Sequence, residues 1–170
     1  MSIITFKRGD NRFITPNFRY GEFDCKCGCP ITTHDTELSL KLQVLRNYFG
    51  KPVVITSPYR CPSHNAKVGG GSKSYHMKGM ACDFIINGVN VWEIGMIAEA
   101  IGFNGIGVYD DGYVHVDVRP ESEKYFWHNS DTNKISTFGG AELDIYSDDV
   151  DDSAEECLKE IKSVLSRYGY

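Results

Sequence analysis

The sequence predicts an α+β domain in which a small antiparallel sheet is flanked by helices. Three observations support this prediction. Two segments space their apolar residues as helices do, several short apolar runs are bounded by turn residues, and one segment alternates between apolar and polar residues. At 170 residues, the chain is long enough for one domain with a substantial core and a small appendage.

Helices are predicted at residues 36–48 and 91–101. In the first segment Leu38, Leu42 and Leu45 recur at intervals of three or four residues, which places them on one helix face. A Gly-Lys-Pro sequence follows and is typical of a helix end. The second segment, VWEIGMIAEAI, has the same apolar periodicity.

Strands are predicted from short apolar runs and from alternation. Their bounds are 53–56, 83–86, 105–109 and 113–118. The last two flank Asp110-Asp111-Gly112, a favourable turn sequence, and should form an antiparallel hairpin. The stretch 57–78 is expected to be a long loop, and loops of such length in compact domains are usually functional or disordered.

The chain divides into three predicted parts. Residues 1–138 form the α+β domain, 139–153 an acidic linker, and 154–170 an amphipathic C-terminal helix. The linker contains the run DIYSDDVDD, and Ser153 suits the N-cap of the helix that follows.

Composition argues against several classes of partner. The formal net charge of -5 disfavours nucleic acid, whose recognition relies on clustered Lys and Arg. No stretch approaches the roughly 20 apolar residues of a membrane span. The first residues lack the features of a secretory signal, so we expect synthesis in the cytoplasm and six cysteines that remain thiols. We also expect a monomer.

One strand carries chemically active residues on a single face. Along 113–118 the valines point one way, whereas Tyr113, His115 and Asp117 point the other way. Together with His76 and Asp83, His115 offers two imidazoles and a carboxylate, a common ligand set for catalytic zinc. Each residue alone also has an ordinary structural explanation, as a turn cap, a surface residue or a sheet histidine.

The segments SPYR, HNAKVGGGSKSYHMKGMACDF and GIGVYDDGYVHVDVR resemble the zinc D-alanyl-D-alanine carboxypeptidases and their phage endolysin relatives, whose fold family includes the hedgehog signalling domain. The family signature is matched by Ser74, His76, Gly79, Ala81, Asp83 and the later His115. The resemblance implies that His76, Asp83 and His115 bind zinc. It also implies that Arg60 meets the substrate carboxylate or the carbonyl oxygen of the tetrahedral intermediate.

The resemblance does not identify the general base. Relatives carry a carboxylate three residues before the last ligand, or a histidine two before it, and this chain has Gly112 and Tyr113 there. Asp117 is the favoured catalytic candidate because it shares the strand face of His115. Its other possible roles are to orient that histidine or to pair with Arg119. The remaining candidates are Asp110 and Asp111.

The resemblance implies hydrolysis of peptidoglycan stem peptides, by a D-Ala-D-Ala carboxypeptidase or by an endopeptidase cutting between L-Ala and D-Glu. Without a signal, the enzyme would reach the cell wall through phage or prophage lysis, or as part of a virion. One alternative is a catalytically inactive zinc module with a structural or wall-binding role. Another is an iron oxygenase whose facial triad would be His115, Asp117 and His128.

The cysteines raise a separate question. Cys25, Cys27 and Cys29 alternate in sequence and, with His34, are a candidate second metal site. Structural zinc prefers cysteine pairs spaced by two to four residues, so reduced, partly buried thiols are the favoured interpretation. Cys61, Cys82 and Cys157 are expected to be small core residues.

Overall fold

The computed structural model describes residues 2–129 and 133–139. The predicted C-terminal helix, and all of the predicted linker beyond its first residue, lie outside the described residues. The strands are β1 (Ile3–Lys7), β2 (Phe13–Thr15), β3 (Phe18–Arg19), β4 (Ile31–Asp35), β5 (Val54–Ser57), β6 (Ala81–Ile85), β7 (Gly105–Val108), β8 (Val114–Asp117), β9 (Tyr125–His128) and β10 (Lys134–Ile135). The helices are α1 (Thr36–Phe49), α2 (Pro62–Lys67) and α3 (Val91–Ile101), with 3-10 turns at Tyr20–Phe23, Tyr75–Lys78 and Glu121–Glu123.

The predicted α+β class is confirmed, but the main sheet is mixed and not wholly antiparallel. Its six strands run in the order β10-β9-β7-β8-β6-β5, and β7 and β9 are parallel. The parallel pair arises because the chain leaves β8, passes over β7 and adds β9 on the far side of β7. Since β7 and β8 are antiparallel, β9 then runs in the direction of β7.

The core lies on one face of this sheet. Val114, Val116 and Val118 are at most 1% exposed and belong to the same apolar cluster as the leucines of α1 and the isoleucines of α3. The predicted alternation of 113–118 is therefore confirmed, and the opposite face of β8 is left for polar side chains. None of the helices in the described residues has the length and apolar character needed to cross a membrane.

The helices and the hairpin follow the sequence closely. Asp35 caps α1 by accepting a hydrogen bond from the Glu37 amide, and Gly50 ends the helix in a left-handed conformation. The β7–β8 turn closes through the Gly112 amide and the Tyr109 carbonyl, at 2.9 Å.

Two expectations for less regular segments were wrong. The 57–78 stretch is not an unbroken loop, because it contains α2 and a 3-10 turn, and Pro62 at the first helical position favours the start of α2. Cys61 is not a core residue, since it is partly exposed and its sulfur lies 3.5 Å from that of Cys27. Cys82, by contrast, is fully buried as expected.

The N-terminal region forms a second layer through the antiparallel pair β1–β4, which packs against the 3-10 turn at Tyr75–Lys78. The two layers meet at Gly79, whose carbonyl accepts a hydrogen bond from the Asp35 amide at 2.8 Å. Gly79 has φ of +71°, and a Cβ atom there would lie 2.3 Å from the Thr33 carbonyl oxygen. Only glycine satisfies both restrictions.

We therefore expect Gly79→Ala to lower the free energy of unfolding by at least about 2 kcal/mol, because backbone strain and a backbone clash add. The matched control is Gly9→Ala, which has a similar φ of +79° but open space around the new methyl group. Its loss should be about 1 kcal/mol. Urea unfolding measures both variants, and equal losses would contradict the close approach of the two layers.

His34 on β4 is a buried histidine that favours its neutral form. It is 1% exposed, and its ring centroid lies 4.1 Å from that of Phe23. Burial lowers its pKa to about 3. As the pH falls below about 6.5, the unfolded chain takes up a proton at this residue that the folded protein does not accept.

Stability should consequently fall as the pH is lowered from about 6.5 towards 3, and His34 should contribute up to about 1.4 kcal/mol per pH unit. In His34→Gln that contribution disappears, so the free energy of unfolding should depend less steeply on pH. Denaturant unfolding at several pH values gives the two slopes. Parallel slopes would show that His34 is protonated equally in both states.

Candidate active site

Three sequence-predicted residues converge because two of them face each other across neighbouring strands. Asp83 on β6 is the direct partner of His115 in the antiparallel pairing with β8. Opposite residues in such a pair project from the same face of the sheet. His76 comes from the 3-10 turn that leads into β6, and Gly79 ends that turn.

The ligating atoms of these residues form a small triangle. The Nδ1 atom of His115 lies 2.8 Å from Oδ1 of Asp83, and Nε2 of His76 lies 3.2 Å from each of those atoms. Tetrahedral zinc with bonds of about 2.0–2.1 Å needs neighbouring ligand atoms about 3.3 Å apart. Two imidazoles and one carboxylate at this spacing therefore suit one zinc ion and leave a fourth position towards the cleft.

Hydrogen bonds behind the site direct one nitrogen of each histidine towards the centre of the triangle. The Nδ1 atom of His76 lies 2.8 Å from the Pro58 carbonyl, which accepts only from a protonated nitrogen, so Nε2 keeps its lone pair. The Nε2 atom of His115 lies 3.1 Å from Asp117 Oδ2, which directs Nδ1 of that ring to the site. Such outer partners fix the tautomer and orientation of metal-binding histidines.

Asp117 itself is wholly buried and held by Arg119. The guanidinium donates to both carboxylate oxygens, at 2.8 and 2.6 Å, and the Arg119 amide donates to Oδ1 at 3.1 Å. Gly105 on β7 makes room for this pair, because a Cβ there would lie 2.2 Å from Asp117 Oδ2. The structure thus places Asp117 behind His115, in the position of an orienting residue.

The charges of the site reinforce one another. Burial alone would lower the pKa of His115, but its hydrogen bonds to Asp117 and Asp83 outweigh burial and raise the pKa to about 9. Burial would raise the pKa of both aspartates, yet Arg119 and His115 lower that of Asp117 to about 2, and the two histidines lower that of Asp83. Burial lowers the pKa of His76. Both carboxylates are therefore ionised at neutral pH.

Arg60 lies beside the triangle at the edge of the cleft. One terminal nitrogen, Nη2, donates to Asp83 Oδ2 at 2.7 Å and lies 3.2 Å from His76 Nε2. Its Nε donates to Ser57 Oγ at 2.9 Å. The side chain is 15% exposed, so the guanidinium is held in place while one side of it remains accessible.

The site opens into a cleft of about 510 Å³. The sequence placed Tyr113 on the face of His115, but it did not identify the other two rings of the aromatic wall, which are Tyr109, stacked on Tyr113, and Trp127. Trp127 comes from β9 and lies over Gly107, where a Cβ atom would lie 2.3 Å from the indole ring. The two strand glycines of β7, Gly105 and Gly107, were the available sequence signal for these close approaches.

The turn aspartates and His128 lie away from this centre. Asp110 accepts from the Asn129 side chain and lies 2.8 Å from His128 Nε2, and neither Asp110 nor Asp111 lines the cleft. His128 and Trp127 are successive residues of β9 and so point to opposite faces of the sheet. The iron triad of His115, Asp117 and His128 is therefore wrong.

Comparison with known proteins adds an independent line of evidence. The profile of the peptidase M15 family matches residues 16–117. The chain is 37% identical to the peptidoglycan L,D-endopeptidase MepK of Escherichia coli K12 over 76 aligned residues. These residues make up 41% of this chain and 42% of that protein. It is 38% identical to the probable peptidoglycan L,D-endopeptidase MepK of Haemophilus influenzae over 68 aligned residues, which make up 36% of this chain and 37% of that protein. The chain thus spans less than half the length of these relatives.

Asp117→Asn should weaken zinc binding by about 10–100-fold, because the neutral amide no longer favours the ring orientation of His115 that serves the metal. Competition with a chromophoric chelator measures the affinity. Asp110→Asn is the matched control, since Asp110 contacts a histidine outside the cleft, and it should bind zinc as the parent does.

The same variant separates the two roles considered for Asp117. An orienting carboxylate predicts loss of zinc affinity, and saturating zinc should restore part of the activity. If Asp117→Asn bound zinc normally but lost turnover at saturating zinc, Asp117 would instead be the proton acceptor.

Proposed function

Because this chain belongs to the peptidase M15 family, we propose that it is a zinc-dependent peptidase acting on the stem peptides of bacterial peptidoglycan. The observation that carries the proposal is the triangle of His76, Asp83 and His115, whose ligating atoms lie 2.8–3.2 Å apart at the floor of a cleft. A structural zinc site is usually closed by four protein ligands, whereas three ligands facing a cleft are typical of catalysis.

His76, Asp83 and His115 would hold the zinc. Bound zinc supplies a Lewis acid and lowers the pKa of its water to about 7. The protein keeps the ligand atoms in place through the Pro58 carbonyl behind His76 and the Asp117 carboxylate behind His115. A rigid ligand set needs little rearrangement during the reaction, which is the advantage of a preorganised site.

Arg60 would bind the oxygen on which negative charge develops. Its Nη2 lies 3.2 Å from His76 Nε2, and that nitrogen is no longer an acceptor once it is a metal ligand. The guanidinium remains held by Asp83 and Ser57, so a freed N–H can donate to a substrate carbonyl or carboxylate oxygen.

Asp117 would act as a positioning residue and not as the proton shuttle. Both of its oxygens accept from Arg119, its exposure is zero, and it contacts the nitrogen of His115 that faces away from the metal position. A general base has to reach the attacking water directly or through one water molecule. Within the described residues, Asp83 and Asp117 are the carboxylates that line the cleft.

The similarity to proteins named L,D-endopeptidases supports cleavage between an L- and a D-residue over D-Ala-D-Ala carboxypeptidase activity. Action at the cell wall follows from this substrate. Delivery through phage lysis or a virion is the route that we propose for reaching it.

The test is digestion of purified sacculi followed by mass spectrometry of the released ends, which identify the bond cut. We expect His115→Ala to lose activity because one of three metal ligands is missing. Arg60→Ala should lose about 10²–10³-fold in kcat, the usual effect of removing one donor to a developing oxyanion. His128→Ala, a histidine outside the cleft, should retain activity.

Identical product release by the parent and His115→Ala would refute a zinc peptidase at this site. Stoichiometric zinc binding without any new peptide ends would instead support the inactive structural or wall-binding module. Release of free D-Ala as the sole product would identify a carboxypeptidase and exclude the proposed endopeptidase.

A further inference from the structure

Four cysteines from two distant parts of the chain meet outside the cleft. Cys25, Cys27 and Cys29 come from the segment between the 3-10 turn at Tyr20–Phe23 and β4, and Cys61 precedes α2. All four sulfur atoms lie within 4.8 Å of one another. The sulfur atoms of Cys25 and Cys27 lie 3.3 Å apart, and those of Cys27 and Cys61 lie 3.5 Å apart.

A tight turn brings the three N-terminal sulfurs together. The Gly28 amide donates to the Cys25 carbonyl at 3.1 Å, so the chain reverses between them and does not run as an extended strand. Gly28 has φ of +88°, which favours glycine and directs the chain back towards the group at Cys29. The turn explains how ligands spaced by a single residue converge, despite the usual preference for wider spacing.

With the sulfur of Cys61 the cluster has four sulfur atoms, the number of ligands in a tetrahedral zinc site. Tetrahedral zinc with Zn–S bonds of about 2.3 Å requires sulfur atoms about 3.8 Å apart, close to the separations found here. The five cysteines in the described residues are free thiols, and four of them are in this cluster. We propose that Cys25, Cys27, Cys29 and Cys61 bind one zinc ion, as a structural site separate from the one in the cleft.

His34, which the sequence offered as a candidate fourth ligand, does not complete the set. It is 1% exposed and packs against Phe6 and Phe23, while Cys61 supplies the fourth ligand from 32 residues beyond Cys29 by sequence number. No local sequence pattern connects Cys61 to the other three cysteines, because its approach depends on how the 57–78 segment folds back.

The surroundings of the cluster supply donors to the sulfurs. The Cys61 amide donates to Cys25 Sγ at 3.4 Å, and the Ser63 hydroxyl lies 3.2 Å from Cys61 Sγ. Amide and hydroxyl donors stabilise coordinated thiolates. Cys27 is exposed and Cys29 and Cys61 are partly exposed, so a metal ion can reach the group without unfolding.

The site would fasten the N-terminal layer to the segment that serves the cleft. Arg60 directly precedes Cys61, and its amide donates to the His76 carbonyl at 3.2 Å. Pro58, three residues before Cys61, accepts the hydrogen bond that orients His76. Four thiolates closed around one ion would hold this segment without taking part in chemistry, the usual role of a four-cysteine zinc site.

Metal counting tests the proposal independently of peptidase activity. The full chain, purified under reducing conditions, should hold two zinc ions, and His115→Ala, with the cleft site impaired, should hold one. Adding Cys27→Ser to His115→Ala should reduce the count to zero. Cys82→Ala in the same background is the matched control, because Cys82 is buried outside the cluster, and it should keep one zinc ion.

Cobalt substitution gives a second measurement that does not require a cysteine variant to fold. His115→Ala loaded with cobalt should show an intense thiolate-to-metal charge-transfer band. Blocking the thiols by titration with a mercurial reagent should abolish this band. A cobalt spectrum without that band would overturn the proposal.

Three further outcomes would also overturn it: reduced His115→Ala that binds no zinc, an intact mass showing disulfides among these cysteines, and iron in place of zinc. Loss of peptidoglycan hydrolysis alone would bear only on the proposed function.

Discussion

The arrangement of the site depends on the pairing register of β6 and β8. Asp83 lies directly opposite His115, and a shift by one residue would turn His115 and Asp117 into the core and bring the valines to the cleft. The register is secured on the apolar face, where Phe84, Val114 and Val116 are completely buried. Packing of the core and assembly of the polar site therefore favour the same alignment, which makes it well determined.

The polar face has its own requirement, which is space beside a central strand. β7 lies between β8 and β9, and its glycines leave gaps that the side chains of Asp117 and Trp127 enter. Without the gap at Gly105, the Asp117 carboxylate could not lie under His115 and still accept two hydrogen bonds from the guanidinium of Arg119. Two residues without side chains thus determine where the functional side chains of neighbouring strands lie.

Features of the fold and the site that depend on local sequence patterns could be predicted from the sequence. The spacing of leucines predicted α1, the alternation at 113–118 predicted which face of β8 is polar, and the resemblance identified the residues of the triangle. Features that depend on distant segments were not predictable in this way. The parallel addition of β9, the aromatic wall at Trp127 and the approach of Cys61 to Cys27 each require knowledge of how the chain returns. The positioning role proposed for Asp117 rests on its hydrogen-bond partners, because its position on the strand face fits a catalytic role equally well.

The segment between β5 and α2 links these separate features physically. Within five residues it holds Arg60 through Ser57, orients His76 through the Pro58 carbonyl, and places Cys61 beside the N-terminal cysteines. A backbone of this kind has few hydrogen bonds of its own to a sheet or helix, so neighbouring groups have to determine its conformation. The contacts to His76 act from the cleft side and those to Cys25 and Cys27 act from the N-terminal layer. The segment is thus held from both sides. A displacement of Cys61 should therefore also displace Arg60, the preceding residue, and the Pro58 carbonyl that orients His76.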